Sequence, residues 1–266
     1  MFSIYSLSKA AFLYCCFVAA LFGAAMGSFL NCAAWRIAHG ESFLTGRSRC
    51  PACGHTLGAL DLVPVFSWLF LRGRCRYCGV KVSPRYVLTE CAFALLSVLC
   101  LSRFDVSVLC LRNYVFLCCL FCLSLVDLDT FIIPDGCLII PALAWVAALP
   151  WTAVPVGAYL ARHVLAALLY GGGMLVLSLV MESVLHKEAL GGGDVKLFAL
   201  MGLYLGVTAS LFALLFSCAF GLLFAVATRN GKGNPFPFGP AISAACAYML
   251  LFGQPLTDWY LNLLRA

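Results

Sequence analysis

Eight apolar runs follow one another along this chain of 266 residues, at about 10–34, 86–102, 108–126, 133–151, 161–185, 195–208, 209–227 and 238–254. A hydrocarbon layer about 30 Å thick needs roughly 20 apolar helical residues to cross it. No water is present there, so backbone N–H and C=O groups must be satisfied within the spanning structure, and long apolar runs do this as helices. The stretch 195–227 is nearly unbroken, and a division near Gly206–Ser210 turns it into a two-span hairpin. Composition agrees: 64% of residues are hydrophobic and 11% charged, where soluble domains carry about 25% charged residues. The expected fold is an all-α polytopic membrane protein of about eight transmembrane helices. The first run is too long for a signal peptide, so it is retained as a span.

The basic residues set the orientation. Eight of the 17 lie between Arg36 and Arg85, in the one long polar stretch. Arginine and lysine accumulate on the cytosolic side of short loops, which places 36–85 inside and the N-terminus outside. A net charge of +6 distributed in this way marks topology and not a nucleic-acid partner. Alternation then makes 127–132, 186–194 and 228–237 cytosolic, and 103–107, 152–160 and the turn near 208 external. Lys187, Lys196, Arg229 and Lys232 all fall on the inner side in this scheme.

Most of the sixteen cysteines, among them Cys15, Cys16, Cys100, Cys110, Cys118, Cys119, Cys122 and Cys218, sit in apolar runs. There a thiol behaves as a small hydrophobe. Four are spaced differently: Cys50-Pro-Ala-Cys53-Gly and, further on, Cys75-Arg-Tyr-Cys78-Gly. Paired Cys-x-x-Cys knuckles, each followed by glycine, bring four thiolates together in the manner of a structural zinc site. On the reducing side of the membrane two disulfides would not persist. With four protein ligands no coordination position is left for water, so the ion is read as a staple and not a catalyst. His55 is a poor further ligand.

Ionisable groups in or at the membrane are expensive, and each is a functional hypothesis. Of the eleven acidic residues, Glu41, Asp61, Asp105, Glu188 and Asp258 fall in loops or the tail, and Glu90 and Glu182 near span ends are read as paired with neighbours. Two places remain. The third span ends in Asp127-Leu128-Asp129 and runs on to Pro134-Asp135. The sixth begins at Gly191-Gly192-Gly193-Asp194-Val195-Lys196. Both lie on the cytosolic face. Glycines before Asp194 permit a tight turn and close approach, with Asp194 at an N-cap position. Asp135 reads as a helix-start residue. Two neighbouring carboxylates do not both ionise easily, so one holds a proton while the other acts as base. Such a pair can activate water and protonate a leaving amine.

These segments resemble a prepilin peptidase, the membrane enzyme family that trims type IV pilin and pseudopilin precursors. The resemblance is carried by Gly27-Ser28-Phe29-Leu30-Asn31, the two cysteine pairs, Asp127-Leu128-Asp129 through Pro134-Asp135, Gly191-Gly192-Gly193-Asp194-Val195-Lys196 and Pro237-Phe238-Gly239-Pro240, in the family's order. It implies catalytic aspartates at Asp127 and Asp194, with Asp129 the alternative to Asp127. Gly191, Gly192, Gly193, Asp129 and Lys196 would support the site, Lys196 by biasing ionisation or by marking the inner surface. It implies cleavage after a glycine at the end of a short basic leader, in the bacterial inner membrane, and methylation of the new N-terminus with S-adenosylmethionine. The division expected is 1–35 as first helix, 36–85 as cytosolic zinc-binding loop domain and 86–266 as protease core. The competing readings are an ion-coupled transporter with a regulatory zinc loop and a scaffold of a secretion assembly. Transporter acids sit near the bilayer midplane and often in repeated halves. The acids here sit at one edge, and no internal repeat is visible.

Overall fold

A computed structural model describes Ile4 and residues 8–43, 45–152, 154–186, 190–227 and 237–265. The loop residues Lys187, Glu188, Arg229 and Lys232 lie outside these. Among the described residues regular structure is helical, with two isolated β-bridges and no strand. The chain divides into two compact units, Met1–Cys110 and Leu111–Ala266.

In the first unit, helix α1 (Lys9–Ala38) packs on α3 (Arg85–Phe104), with the short α2 (Phe66–Phe70) in the polar region between them. Lipid tails are as apolar as leucine, so helices in a bilayer associate by close packing and hydrogen bonds. Gly23 and Gly27 supply that closeness. A Cβ at Gly27 would stand 3.0 Å from the Glu90 Cα, and one at Gly23 would overlap Ser97 and Ala94. One turn on, buried Asn31 donates its amide to the Thr89 hydroxyl. At the polar end of α1, buried Arg36 donates to the carbonyls of Thr45 (2.9 Å) and Gly46 (3.2 Å), which ties the start of the loop to the helix. At its other side, Glu90 accepts from the Val65 N–H at 2.6 Å. Val65 has φ +63°, a conformation that is rare for a β-branched residue, and Glu90 holds it there.

In the second unit, α4 (Val108–Thr130) buries Phe116, Leu117, Leu120, Leu123 and Val126. After it come α5 (Gly136–Ala147), α6 (Val156–Ala167), a π-helical turn at Leu168–Gly172, α7 (Gly173–Leu185), α8 (Gly192–Ala227), α9 (Gly239–Phe252) and α10 (Gln254–Arg265), with α5, α6, α7, α9 and α10 packing against α8. The glycines 171–173 sit in and beside the π turn. Of the three, Gly171 is the close contact, against Ala199.

The α8 run carries the hairpin read from the sequence. Gly206 has φ +74° and ψ −176°, outside helical values. The Ser210 hydroxyl reaches the Met201 carbonyl at 3.5 Å. Nine residues of straight helix would separate them by about 13 Å, so the chain turns back here. Among the described residues, five helical stretches are long and apolar enough to cross a membrane, Gly192–Ala227 counted once, and Gly136–Ala147 and Gly239–Phe252 are shorter apolar helices. With the break at Gly206 this agrees with about eight spans. One difference concerns the tail around Asp258, which the sequence reading left as polar. It is the helix α10, where polar and apolar residues alternate at helical spacing.

Replacing Gly27 by leucine should overpack the α1/α3 seam at a cost of about 1–3 kcal/mol. A lower thermal midpoint in detergent is the expected result; an unchanged midpoint would show that the glycine contact carries no stability.

Candidate active site and cysteine cluster

Asp127 lies one turn before the end of α4 and is 4% exposed. The helix stops just beyond it because Phe131 adopts φ +58° and donates its N–H to the Asp127 carbonyl at 2.9 Å. This left-handed cap turns the chain into the 132–135 segment. The Asp127 carboxylate is held by a different element: its Oδ2 accepts the N–H of Gly239, the first residue of α9, at 2.9 Å. A Cβ at position 239 would stand 2.7 Å from that oxygen, so only glycine admits the carboxylate.

Asp194 enters from the start of α8. The helix begins at Gly192, so Asp194 is its third residue and not the N-cap that the sequence suggested. Its carboxylate is partly buried and lies close enough to Asp127 for the two charges to interact. Two contacts set the placement. A Cβ at Gly193 would stand 2.9 Å from the Ile133 Cβ, so the first turn of α8 rests directly on the segment that follows Asp127. Lys196 Nζ donates to Asp135 Oδ1 at 2.7 Å. Lys196 thus pairs with Asp135, and the Asp135 carboxylate takes up this bridge instead of capping α5. Of the other glycines, Gly191 lies beside the Asp194 carboxylate, whereas Gly192 faces open space. Asp129 is exposed, while Asp127 is buried. Two residues apart on a helix, they are turned about 200° from one another.

Within the first unit, the two cysteine knuckles have the same local fold. The Cys50 N–H donates to the His55 carbonyl (2.9 Å) and the Gly54 N–H to the Cys50 carbonyl (2.8 Å). The Cys75 N–H donates to Val80 (2.8 Å) and the Gly79 N–H to Cys75 (3.0 Å). Gly54 and Gly79 have φ of +68° and +69°, a turn glycine makes without strain. The four sulfurs of Cys50, Cys53, Cys75 and Cys78 all lie within 4.8 Å of one another, with Cys50 and Cys78 at 3.9 Å. Tetrahedral zinc with bonds of about 2.3 Å places its sulfurs about 3.8 Å apart, so this set fits such an ion. The amide of Cys53, foremost among several partners, brings the Cys50 thiol down to about 7. The His55 ring lies on Tyr77, centroids 3.6 Å apart.

Comparison with known proteins gives a consistent result. The bacterial peptidase A24 N-terminal domain matches residues 21–104, and the type IV leader peptidase family matches residues 114–226. A prepilin leader peptidase/N-methyltransferase of Bacillus subtilis is 33% identical over 260 residues, covering 91% of this chain and 96% of its own. Its counterpart in Myxococcus xanthus is 37% identical over 218 residues, 80% of this chain and 63% of its own. That of Dichelobacter nodosus is 30% identical over 267 residues, with 90% and 92% coverage. No solved structure matches.

The chain belongs to the type IV leader peptidase family. This is a family of aspartic peptidases. Two residues of this leader peptidase escaped the sequence reading. Gly239 was legible only as part of Pro237-Phe238-Gly239-Pro240, and nothing in the sequence ties its amide to Asp127. Asp61 was passed over as a loop acid. It organises the knuckles, accepting from the Gly58 N–H (3.0 Å), Arg76 (2.7 Å) and the Tyr77 hydroxyl (3.0 Å).

The Gly58 amide above all, then Tyr77 and Arg76, holds the Asp61 carboxyl below its ordinary value. Its contribution to stability is therefore full above the usual carboxylate range and fades as pH falls through the lowered native value. Asp61→Asn should speed amide hydrogen exchange around residues 58–62 and 76–78 at neutral pH. The difference from wild type should close on acidification, and a difference independent of pH would remove the carboxylate from this role.

Proposed function

We propose that this leader peptidase is an intramembrane aspartyl endopeptidase with Asp127 and Asp194 as its catalytic pair. It cleaves prepilins and pseudopilins after the glycine that ends a basic leader. One observation carries the reading: side chains 67 positions apart converge where α4 ends and α8 begins, within reach of each other's charge. In the reaction, the ionised carboxylate takes a proton from water as the water attacks the scissile carbonyl. The protonated partner gives its proton to the departing amine. The Gly239 amide holds Asp127 Oδ2, so Oδ1 is the oxygen left to meet water. The Lys196–Asp135 bridge and the Gly193–Ile133 contact position the helix start that bears Asp194.

The location at helix ends suits a substrate of two characters. An apolar helix can lie in the bilayer while its charged leader remains in the cytosol, with the bond to be cut at the boundary. This assigns the catalytic end and the cysteine loop to the inner face of the bacterial plasma membrane and the N-terminus to the outer face. The relatives are named N-methyltransferases as well as peptidases, and the same second activity, with S-adenosylmethionine as donor, is proposed here. Among the described residues no side-chain set is placed as a methyl-donor site, so that half rests on family membership alone.

The four-cysteine set is proposed to hold zinc as a structural staple. Zinc would supply cross-linking of the two knuckles, and its binding would displace protons from the thiols, so affinity should fall as pH is lowered. Chelation should expose 45–85 to trypsin at Arg72, Arg74 and Arg76; a loop that stays resistant after metal loss would eliminate the staple.

Purified protein incubated with a precursor pilin tests the peptidase. Asp127→Asn and Asp194→Asn should each lower cleavage by a factor of about 10² to 10⁴ or more while the protein stays folded. Asp129→Asn should cleave near the wild-type rate. Loss with Asp129→Asn but not Asp127→Asn would exchange their roles, and normal cleavage by Asp194→Asn would favour a transporter or scaffold.

A further inference from the structure

Two cysteines read from the sequence as packing residues are brought together by the fold. Cys100 lies one turn before the end of α3, and Cys110 lies in the first turn of α4. Their sulfurs are 3.9 Å apart, and each sulfur also lies 3.8 Å from the other residue's carbonyl oxygen. The connection between the helices is short and internally bonded. The Cys110 N–H donates to the Ser107 hydroxyl at 3.0 Å, and that hydroxyl donates to the Phe104 carbonyl at 2.8 Å. Asp105, at φ +52°, accepts the Ile4 N–H at 2.9 Å. The backbone on both sides of the pair is therefore held in place, and the sulfurs face each other across a fixed hairpin.

We propose that Cys100 and Cys110 are a disulfide-forming pair at the outer face of the membrane. A disulfide has its sulfurs at about 2.05 Å, so closing the bond requires them to approach by about 1.9 Å, a displacement side-chain rotation supplies. The compartment decides the outcome. Cys50 and Cys78 stand at the same 3.9 Å, but they belong to a four-sulfur set assigned to the reducing cytosol, where metal binding is favoured. The 103–107 loop is assigned to the opposite, oxidising side, where a pair of thiols at this distance is converted to a bridge. This assignment rests on the orientation proposed above. Cys119 and Cys122, deeper along α4, are buried.

Cys100 is fully buried and Cys110 partly exposed, which sets the order of events. The oxidant is an extracytoplasmic protein disulfide of the thiol–disulfide exchange class. The Cys110 thiolate attacks one donor sulfur, forming a mixed disulfide and releasing the other donor sulfur as a thiolate. The Cys100 thiolate then attacks the Cys110 sulfur and releases the second donor sulfur. The two cysteines lose two electrons and two protons, and the donor disulfide becomes a dithiol.

The test starts from cells quenched in acid, so that thiols do not exchange. The protein is alkylated in denaturant with a chelator, before and after reduction, and its peptides are weighed. The expected result is alkylation of fourteen of the sixteen cysteines before reduction and all sixteen after it. A cross-linked peptide should join Cys100 to Cys110 in the unreduced sample, and Cys110→Ser should abolish it. In parallel, Val106→Cys, placed in a chain lacking Cys100 and Cys110, is exposed to a membrane-impermeant maleimide on intact cells. Labelling from outside together with alkylation of both native thiols before reduction overturns the bridge alone. Labelling only after permeabilisation overturns the orientation and the bridge with it, leaving the aspartate pair untouched.

Discussion

Hydrocarbon offers no partner to a polar group, and this constraint governs where the helices of this protein break. Opening a helix at Gly206 strands carbonyls that a continuous ladder would have used. Two side chains from the neighbouring α6–π segment meet the backbone on either side of the break: His163 Nδ1 lies 2.9 Å from the Leu203 carbonyl before it, and the Tyr170 hydroxyl donates to the Val207 carbonyl just past it at 2.7 Å. A carbonyl can only accept, so Nδ1 carries the proton of His163. Nearby, the Tyr204 hydroxyl donates to the Pro141 carbonyl inside α5 at 2.7 Å. The same rule applies to Arg112, buried near the start of α4. It donates to Asn113 and Tyr159 and lies over the Tyr204 ring, 5.3 Å from its centroid. Breaks in the helices are thus local events with named partners, and they hold the unit together far from the aspartates.

The aspartates occupy the other end of the same unit. Fifteen residues separate Arg112 from Asp127, about 22 Å along α4. There the polar groups are supplied by helix ends, which carry unsatisfied backbone donors without any break. Asp127 meets the first amide of α9, and Asp194 stands in the first turn of α8, so two helix N-termini direct their positive ends toward the carboxylates. Gly239 and Gly193 contribute by what they lack. A side chain at either would collide, with the Asp127 carboxylate in one case and with Ile133 in the other. Closeness in this site is made by absent atoms as much as by attractive contacts.

The sixteen cysteines illustrate how position assigns chemistry. In the interior of the helices they fill space. In the polar loop, with amides turned toward sulfur by glycines at positive φ, four converge in a geometry that could hold a metal ion. Beside the 105–107 turn, two are close enough to bond. Residue type is constant across the three, and what differs is access to water and the neighbouring backbone.

Much of this was already present in the order of residues. The lengths of the apolar runs dictate helices because a chain in lipid has few other ways to satisfy its backbone. The knuckle spacing dictates four converging sulfurs because each Cys-x-x-Cys-Gly closes its own turn. The division near Gly206–Ser210 is visible because a glycine followed by Thr208 and Ser210 interrupts so apolar a stretch. These are local properties, and local properties can be read from neighbours in sequence. Other features required the chain to be packed: the Gly239 amide on Asp127, Lys196 on Asp135, Asp61 on the second knuckle and Glu90 on the strained Val65 turn. Each joins residues fifteen or more positions apart, and which of many polar groups meets which is set by how the elements pack. The burial of Asp127 and the exposure of Asp129 follow from the same cause. Two residues of helix separate them, and only the rotation of α4 against its neighbours turns one inward and the other out.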